Sequence, residues 1–173
     1  SLQDRYTKYL CLTPIHNETA QTIAKAILDN WIRIWGVPVI IISDNAPSFT
    51  GKLMNAVCEL LNIKQKFITP YNPMAAGQVE RSQRSVLNIL RKLVEDNPRK
   101  WIDKISLVEI AYNSSIQKGT AYSAFHLMHG RPFNNIDAAI YGNYNYECYE
   151  HHGQYLYETY HTMKAVYKNV SEN

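Results

Sequence analysis

Two carboxylates stand out by their surroundings. Asp44 follows the β-branched run Val39-Ile40-Ile41-Ile42 and Ser43, which puts an acid at the carboxyl end of a strand expected to be buried on both faces. Open α/β sheets build their sites at such ends. Glu80 lies in the first turn of a long helical pattern that begins near Gln78, after the Pro70–Gly77 stretch. Each acid also has a structural explanation: Asp-Asn is common turn chemistry, and a carboxylate in a first helical turn is favoured by the helix dipole. On a helical wheel Val79, Gln83, Val86, Leu87, Leu90, Leu93 and Val94 share the side expected to face the core. Arg81, Arg84, Asn88, Arg91 and Lys92 fall opposite, with Glu80 at the border. Seven of the 18 Lys and Arg residues lie between Arg81 and Lys104, a clustering that suits phosphate contact and equally suits a solvated face. Two carboxylates from separate elements beside a basic groove fit oxygen-ligated Mg²⁺ or Mn²⁺ acting on phosphodiesters. Two acids are few for a two-ion mechanism.

The elements that must position these residues alternate. The 173 residues, 46% apolar and 19% charged with a net charge of +3, describe a folded chain of one-domain size rather than a disordered segment. Its apolar runs are too short for a membrane helix. Three cysteines, Cys11, Cys58 and Cys148, have no paired spacing, so neither a disulfide framework nor a cysteine zinc site is indicated. His126-x-x-His129, and Cys148 with His151-His152, match no standard zinc pattern either. Tyr6–Leu12 reads as a strand and Glu18–Trp35 as a helix, capped by Asn17 and ended by Gly36, with Ala20, Ile23, Ala24, Ile27, Leu28, Trp31, Ile34 and Trp35 on one face. A helix over Thr50–Asn62, with Leu53, Val57, Leu60 and Leu61 inward, precedes a strand at Gln65–Ile68. Such alternation predicts an α/β layer with a largely parallel sheet. Further helices are expected over Trp101–Tyr112, Ser123–His129 and Gln154–Val170. The Tyr-rich stretch Tyr141–Tyr149 could stack on bases, although packing or a linker accounts for it as well.

The segments resemble, in order, the catalytic core of retroviral and LTR-retrotransposon integrases. Ile41-Ile42-Ser43-Asp44-Asn45 with Phe49-Thr50-Gly51 is similar to the second acidic motif of that family. Pro70-Tyr71-Asn72-Pro73 through Gly77-Gln78-Val79-Glu80-Arg81 is similar to the third. Thirty-five residues lie between Asp44 and Glu80, the spacing of the D,D-35-E pattern. Trp101, Ala111-Tyr112-Asn113 and Phe125 through Gly130-Arg131-Pro132 resemble the downstream helices of gypsy-type elements. Ala46, Gln83 and Ala124 depart from residues usual in the family.

The resemblance implies an α/β RNase H-like three-layer fold, a mixed sheet flanked by helices, over residues 1–133. A Tyr/Asn-rich linker and C-terminal helix would occupy 134–173. It implies Asp44 and Glu80 as catalytic residues and ligands of Mg²⁺ or Mn²⁺, and Tyr71, Gln78 and Arg84 near a DNA end. Arg81, Arg91 and Lys92 are weaker candidates for backbone contact. Implied partners are element-end and target DNA and further copies of the chain, with no membrane. The work would be 3′-end processing and strand transfer in the nucleus, preceded by a cytoplasmic virus-like particle. The first strand of that fold and its acid precede the segment resembling Gln3–Thr7, so the chain is expected to be truncated at its amino end and weak in strand transfer. Asp4 matches a non-catalytic aspartate and is expected in a turn or cap. A non-enzymatic DNA-binding or assembly module and an RNase H-type nuclease are the competing expectations.

Overall fold

In the computed structural model, residues 1–68, 73–94, 97–117, 120–134 and 152–171 are described. The chain forms two compact units: Ser1–Gln3 with Cys11–Glu109, and Asp4–Leu10 with Ile110–Asn173.

The first unit is built round a parallel pair of strands, β3 (Ile40–Ser43) and β4 (Lys64–Phe67), in register from Ile40 opposite Lys64 to Ser43 opposite Phe67. Strands β1 (Leu2–Gln3) and β2 (Leu10–Cys11) precede them. A parallel pair needs a crossover, supplied here by α3 (Pro47–Thr50) and α4 (Lys52–Leu60). Ahead of β3 runs a continuous helical stretch of α1 (Ala20–Ile27), a π-helical turn Leu28–Ile32, and α2 (Arg33–Trp35). The core gathers Ile27, Met54, Cys58 and Ile63, with Ile23, Ala24, Ile32, Ile41, Phe49 and Leu61 packed against it. Burial pushes the Cys58 thiol pKa up, as expected for a sulfur among aliphatic groups.

Several expected faces differ. Strand β3 alternates rather than being buried throughout: Ile41 packs on the core, Ile40 and Ile42 are exposed, and Val39 is 74% exposed. Helices cover one face of a pair that, among the described residues, has no further strand beside it. In α4 the inward line is Met54, Cys58 and Leu61, while Leu53 is exposed and Leu60 is 85% exposed. That line follows the spacing i, i+4, i+7, which the larger leucines had masked. Leu28 and Ile34 are likewise exposed, because the π turn adds a residue and the core-facing series runs Ile23, Ile27, Ile32. Thr19, not Asn17, caps α1, its hydroxyl accepting from Thr22 N–H at 3.3 Å. Asn17 Oδ1 instead accepts from the Thr19 and Thr22 hydroxyls. Gly36 ends the stretch at φ 84°, where a side chain would be strained.

The expected strand Tyr6–Leu12 shrinks to β2, since the residues before it form a turn in the second unit. Asp4 Oδ2 accepts from Tyr6 N–H at 3.0 Å, Thr7 N–H at 2.7 Å and the Thr7 hydroxyl at 2.9 Å. A carboxylate collecting three donors outcompetes extended pairing. Helix α6 (Trp101–Ser114) begins in the first unit and ends in the second. There Asn113, only 3% exposed, accepts from Leu10 N–H through Oδ1 at 2.9 Å and donates Nδ2–H to Leu10 C=O at 2.8 Å. Helix α7 (Ala124–His129) is capped by Ser123 and closed by Gly130 at φ 74°. Its fully buried Leu127 presents a carbonyl that accepts from the Tyr167 hydroxyl of α8 (His152–Ser171) at 2.7 Å. Within the first unit Glu109 Oε2 accepts from Leu12 N–H at 2.8 Å, and burial raises its carboxyl pKa despite that bond.

Two measurements check these contacts. Asn113→Ala leaves both Leu10 backbone groups without their partner and should lower unfolding free energy by about 3 kcal/mol. In a urea titration the midpoint should fall at constant slope, and the Leu10 amide should lose its hydrogen-exchange protection. A raised carboxyl pKa stabilises the fold below the ordinary value of 4.5 and that stability is lost as pH rises through the folded value. Glu109→Gln keeps an acceptor for Leu12 without the charge, so its urea midpoint should gain on the wild type as pH is raised from about 4 to about 7. A pH-independent difference would remove this assignment.

Candidate functional site

Asp44 lies one residue past the end of β3, as its sequence position requires, and faces solvent. Its Oδ1 accepts from Ala46 N–H at 3.2 Å, closing the Asx-turn that leads into α3, and the Ser43 hydroxyl donates to the Asp44 carbonyl at 3.0 Å. The turn explanation is therefore realised, and it leaves Oδ2 outside that bond. The Ala46 departure is harmless here, because the turn uses only its N–H.

Glu80 sits on α5 (Pro73–Leu93), which starts five residues before the expected Gln78. Pro73 suits a first helical position, where no N–H is needed, so the Pro/Gly stretch ends sooner than its composition suggests. The expected inward stripe is also rotated. Val79, Gln83, Leu87 and Leu93 are exposed, whereas Ser82 is buried and Val86, Ile89 and Leu90 are half-buried. A polar contact sets that rotation: Gln3 Nε2–H donates to Ser82 Oγ at 2.8 Å, and the Ser82 hydroxyl donates to Gln3 Oε1 at 3.1 Å. Positions two before and two after an inward residue lie about 200° round the helix from it. Ser82 turned inward thus turns Glu80 and Arg84 out together, and Arg84 Nη2–H donates to Glu80 Oε1 at 3.1 Å.

Arg81, Arg91 and Lys92 are exposed on the same helix. Tyr71 lies outside the described residues; Gln78 is placed on α5 by its backbone. Asp44, Glu80 and the basic residues of α5 all belong to the first unit. Asp4 is a turn residue, as expected. Among the described residues no three His, Cys, Asp or Glu side chains gather into a group that could hold a metal ion. Carboxylate oxygens alone suit a hard divalent cation, so Asp44 and Glu80 match Mg²⁺ or Mn²⁺ in donor type. In number they are an incomplete set.

His126 and His129 both make ring contacts. His129 stacks on Phe125 with centroids 4.0 Å apart, and His126 meets Tyr122 edge-on at 5.2 Å. Burial lowers both pKa values, and the nearby Arg131 lowers that of His129 further. The second pairing, Cys148 with His151-His152, involves Cys148 and His151 outside the described residues, as does the Tyr-rich stretch. Sequence reasoning missed Glu109, Ser82 and the Glu80–Arg84 pair. Only the last had a visible signal, a Glu and an Arg four apart on one helix.

The fold is the α/β RNase H-like fold of integrase catalytic cores. It is similar to a chain of the simian T-cell lymphotropic virus intasome, solved in complex with PP2A regulatory subunit B56 gamma, at a TM-score of 0.66 and 25% identity over 73% of this chain and 46% of that one. The HTLV-2 integrase catalytic core domain, solved in complex with magnesium in a trimeric form, gives a TM-score of 0.63 at 22% identity over 73% of this chain and 81% of that one. Residues 2–73 match the integrase core domain family. The particular likeness is to transposon polyproteins: the Transposon Tf2-3 polyprotein of Schizosaccharomyces pombe is 34% identical over 127 residues, 73% of this chain. The chain spans about a tenth of the length of that polyprotein, 10%. No helix among the described residues is long and apolar enough to cross a membrane.

The Asx-turn separates charge from structure at Asp44. Asp44→Asn retains an acceptor for Ala46 N–H and should leave thermal stability unchanged, whereas Asp44→Ala should cost about 1 kcal/mol. Equal melting shifts for the two variants would show that the turn bond does not hold this corner.

Proposed function

We propose that this chain is the core portion of an integrase whose work in DNA integration is metal-dependent 3′-end processing and strand transfer, with this chain by itself weak in strand transfer. The observation that carries the reading is the pair of acids in integrase spacing, one at the end of β3 and one turned outward on a basic helix, in a chain of integrase-core fold. Asp44 and Glu80 would hold Mg²⁺ or Mn²⁺, which supplies charge stabilisation at the attacking and leaving oxygens. The protein's own share is placement. Ser82 and Gln3 fix the rotation of α5, the Asx-turn fixes Asp44, and the guanidinium and ammonium groups of Arg81, Arg84, Arg91 and Lys92 bind phosphates without reading sequence. Tyr71 and Gln78 are assigned to the DNA end. Assembly with further copies in the nucleus, after a cytoplasmic virus-like particle, completes the reading.

Mn²⁺ titration followed by electron paramagnetic resonance tests the metal assignment. Asp44→Asn and Glu80→Gln should each weaken binding at least by the roughly tenfold that even an outer-shell change costs. Duplex DNA binding across a salt series tests the basic face, with Arg91→Gln and Lys92→Gln each lowering the slope by about one. DNA binding without Mn²⁺ affinity would assign the chain as a non-enzymatic assembly or DNA-binding module instead. Cleavage of an RNA–DNA hybrid in preference to strand transfer would assign it as a nuclease.

A further inference from the structure

Glu80 meets a cation already. Arg84 Nη2 stands 3.1 Å from Glu80 Oε1, with the two side chains 70% and 68% exposed. Helical side chains lean toward the amino end, so an Arg four residues on folds back over the Glu. Arg81 leans the same way: a methyl group added at Gly77 would lie 3.6 Å from Arg81 Nη1. Two guanidiniums are therefore drawn over the turns of α5 that carry Glu80.

We propose that the Glu80–Arg84 pair is a displaceable latch, in which a divalent cation and Arg84 compete for one carboxylate and cation binding hands the guanidinium to a phosphate oxygen of DNA. The inference rests on the reading that Glu80 holds a cation. Three properties of the pair suit the exchange. It is solvent-exposed and closed by a single hydrogen bond, so it opens at little cost. A dication within reach of the same carboxylate repels the guanidinium and outbids its single charge. The guanidinium released is the side-chain group best shaped to take a phosphate by two parallel hydrogen bonds. Because Ser82 holds this face outward, the released Arg84 stays on the surface where DNA would approach. Cation and DNA should then each raise affinity for the other by the same factor, as linkage requires.

The test is Mn²⁺ affinity, read by electron paramagnetic resonance, for the wild type, Arg84→Gln, Glu80→Gln and the double variant, with and without duplex DNA. Circular dichroism checks that each variant is folded. Removing an exposed pair of this spacing corresponds to roughly a twofold change. Arg84→Gln should therefore bind Mn²⁺ about twofold tighter without DNA, and the DNA-induced gain should shrink by the same factor. The effect should vanish in the Glu80→Gln background. An unchanged affinity in Arg84→Gln, with Glu80→Gln still weakened, overturns the latch and leaves the metal site standing. A gain that persists without Glu80 also overturns it, because plain charge repulsion then accounts for the change. If Glu80→Gln itself binds Mn²⁺ as the wild type does, the metal reading fails and the latch fails with it.

Discussion

A β-strand has to satisfy its backbone polar groups, and at Leu10 that is done by a side chain. The Asn113 amide presents one acceptor and one donor to the N–H and C=O of a single residue, as a neighbouring strand would. Aspartate could not donate to the carbonyl, and glutamine would add a rotor to be frozen. One turn earlier on α6, Glu109 does part of the same work for Leu12. Both bonds link residues roughly a hundred positions apart. Leu10 in β2 and Leu12 just past it therefore depend on a helix that the chain makes much later. The cost of leaving such groups unpaired exceeds what a two-residue strand could recover by itself.

Much of the fold was legible because periodicity and punctuation agree. The run at Ile40–Ile42, the glycines at 36 and 130, the Ser123 cap and the order of alternating elements all appear where local chemistry places them. Faces were less legible. Leucine is the default choice for an inward position, yet Leu53 and Leu60 are exposed and Met54 and Cys58, four apart, fill the core. On α5 the wheel identified the basic side correctly, but the inward line is set by a serine and a glutamine 79 residues apart in sequence, a partnership no window of apolar residues records. The carboxylates were legible as types and spacing. Of their present partners, Ala46 N–H is the one the turn alternative described, whereas Glu80 lies seven residues into α5, outside its first turn, and pairs with Arg84 instead.

Each carboxylate is placed by its own neighbours. Glu80 and Arg84 face outward because Ser82 faces inward, and Asp44 is fixed because its own carboxylate closes the corner after β3. The Gln3–Ser82 bonds that orient α5 are half-buried, whereas the bonds made by the two carboxylates are exposed. The Asx-turn orients Asp44, while the exposed Glu80–Arg84 pair opens at little cost, and both carboxylates face solvent.

The wide turn at Leu28–Ile32 bears on how such chains diverge. It shows an extra residue absorbed inside a helix, with Ile27 and Ile32 both kept on the core and the Asn30 carbonyl accepting from the Cys11 thiol at 3.5 Å. Length variation in this element can thus pass without a loop being altered.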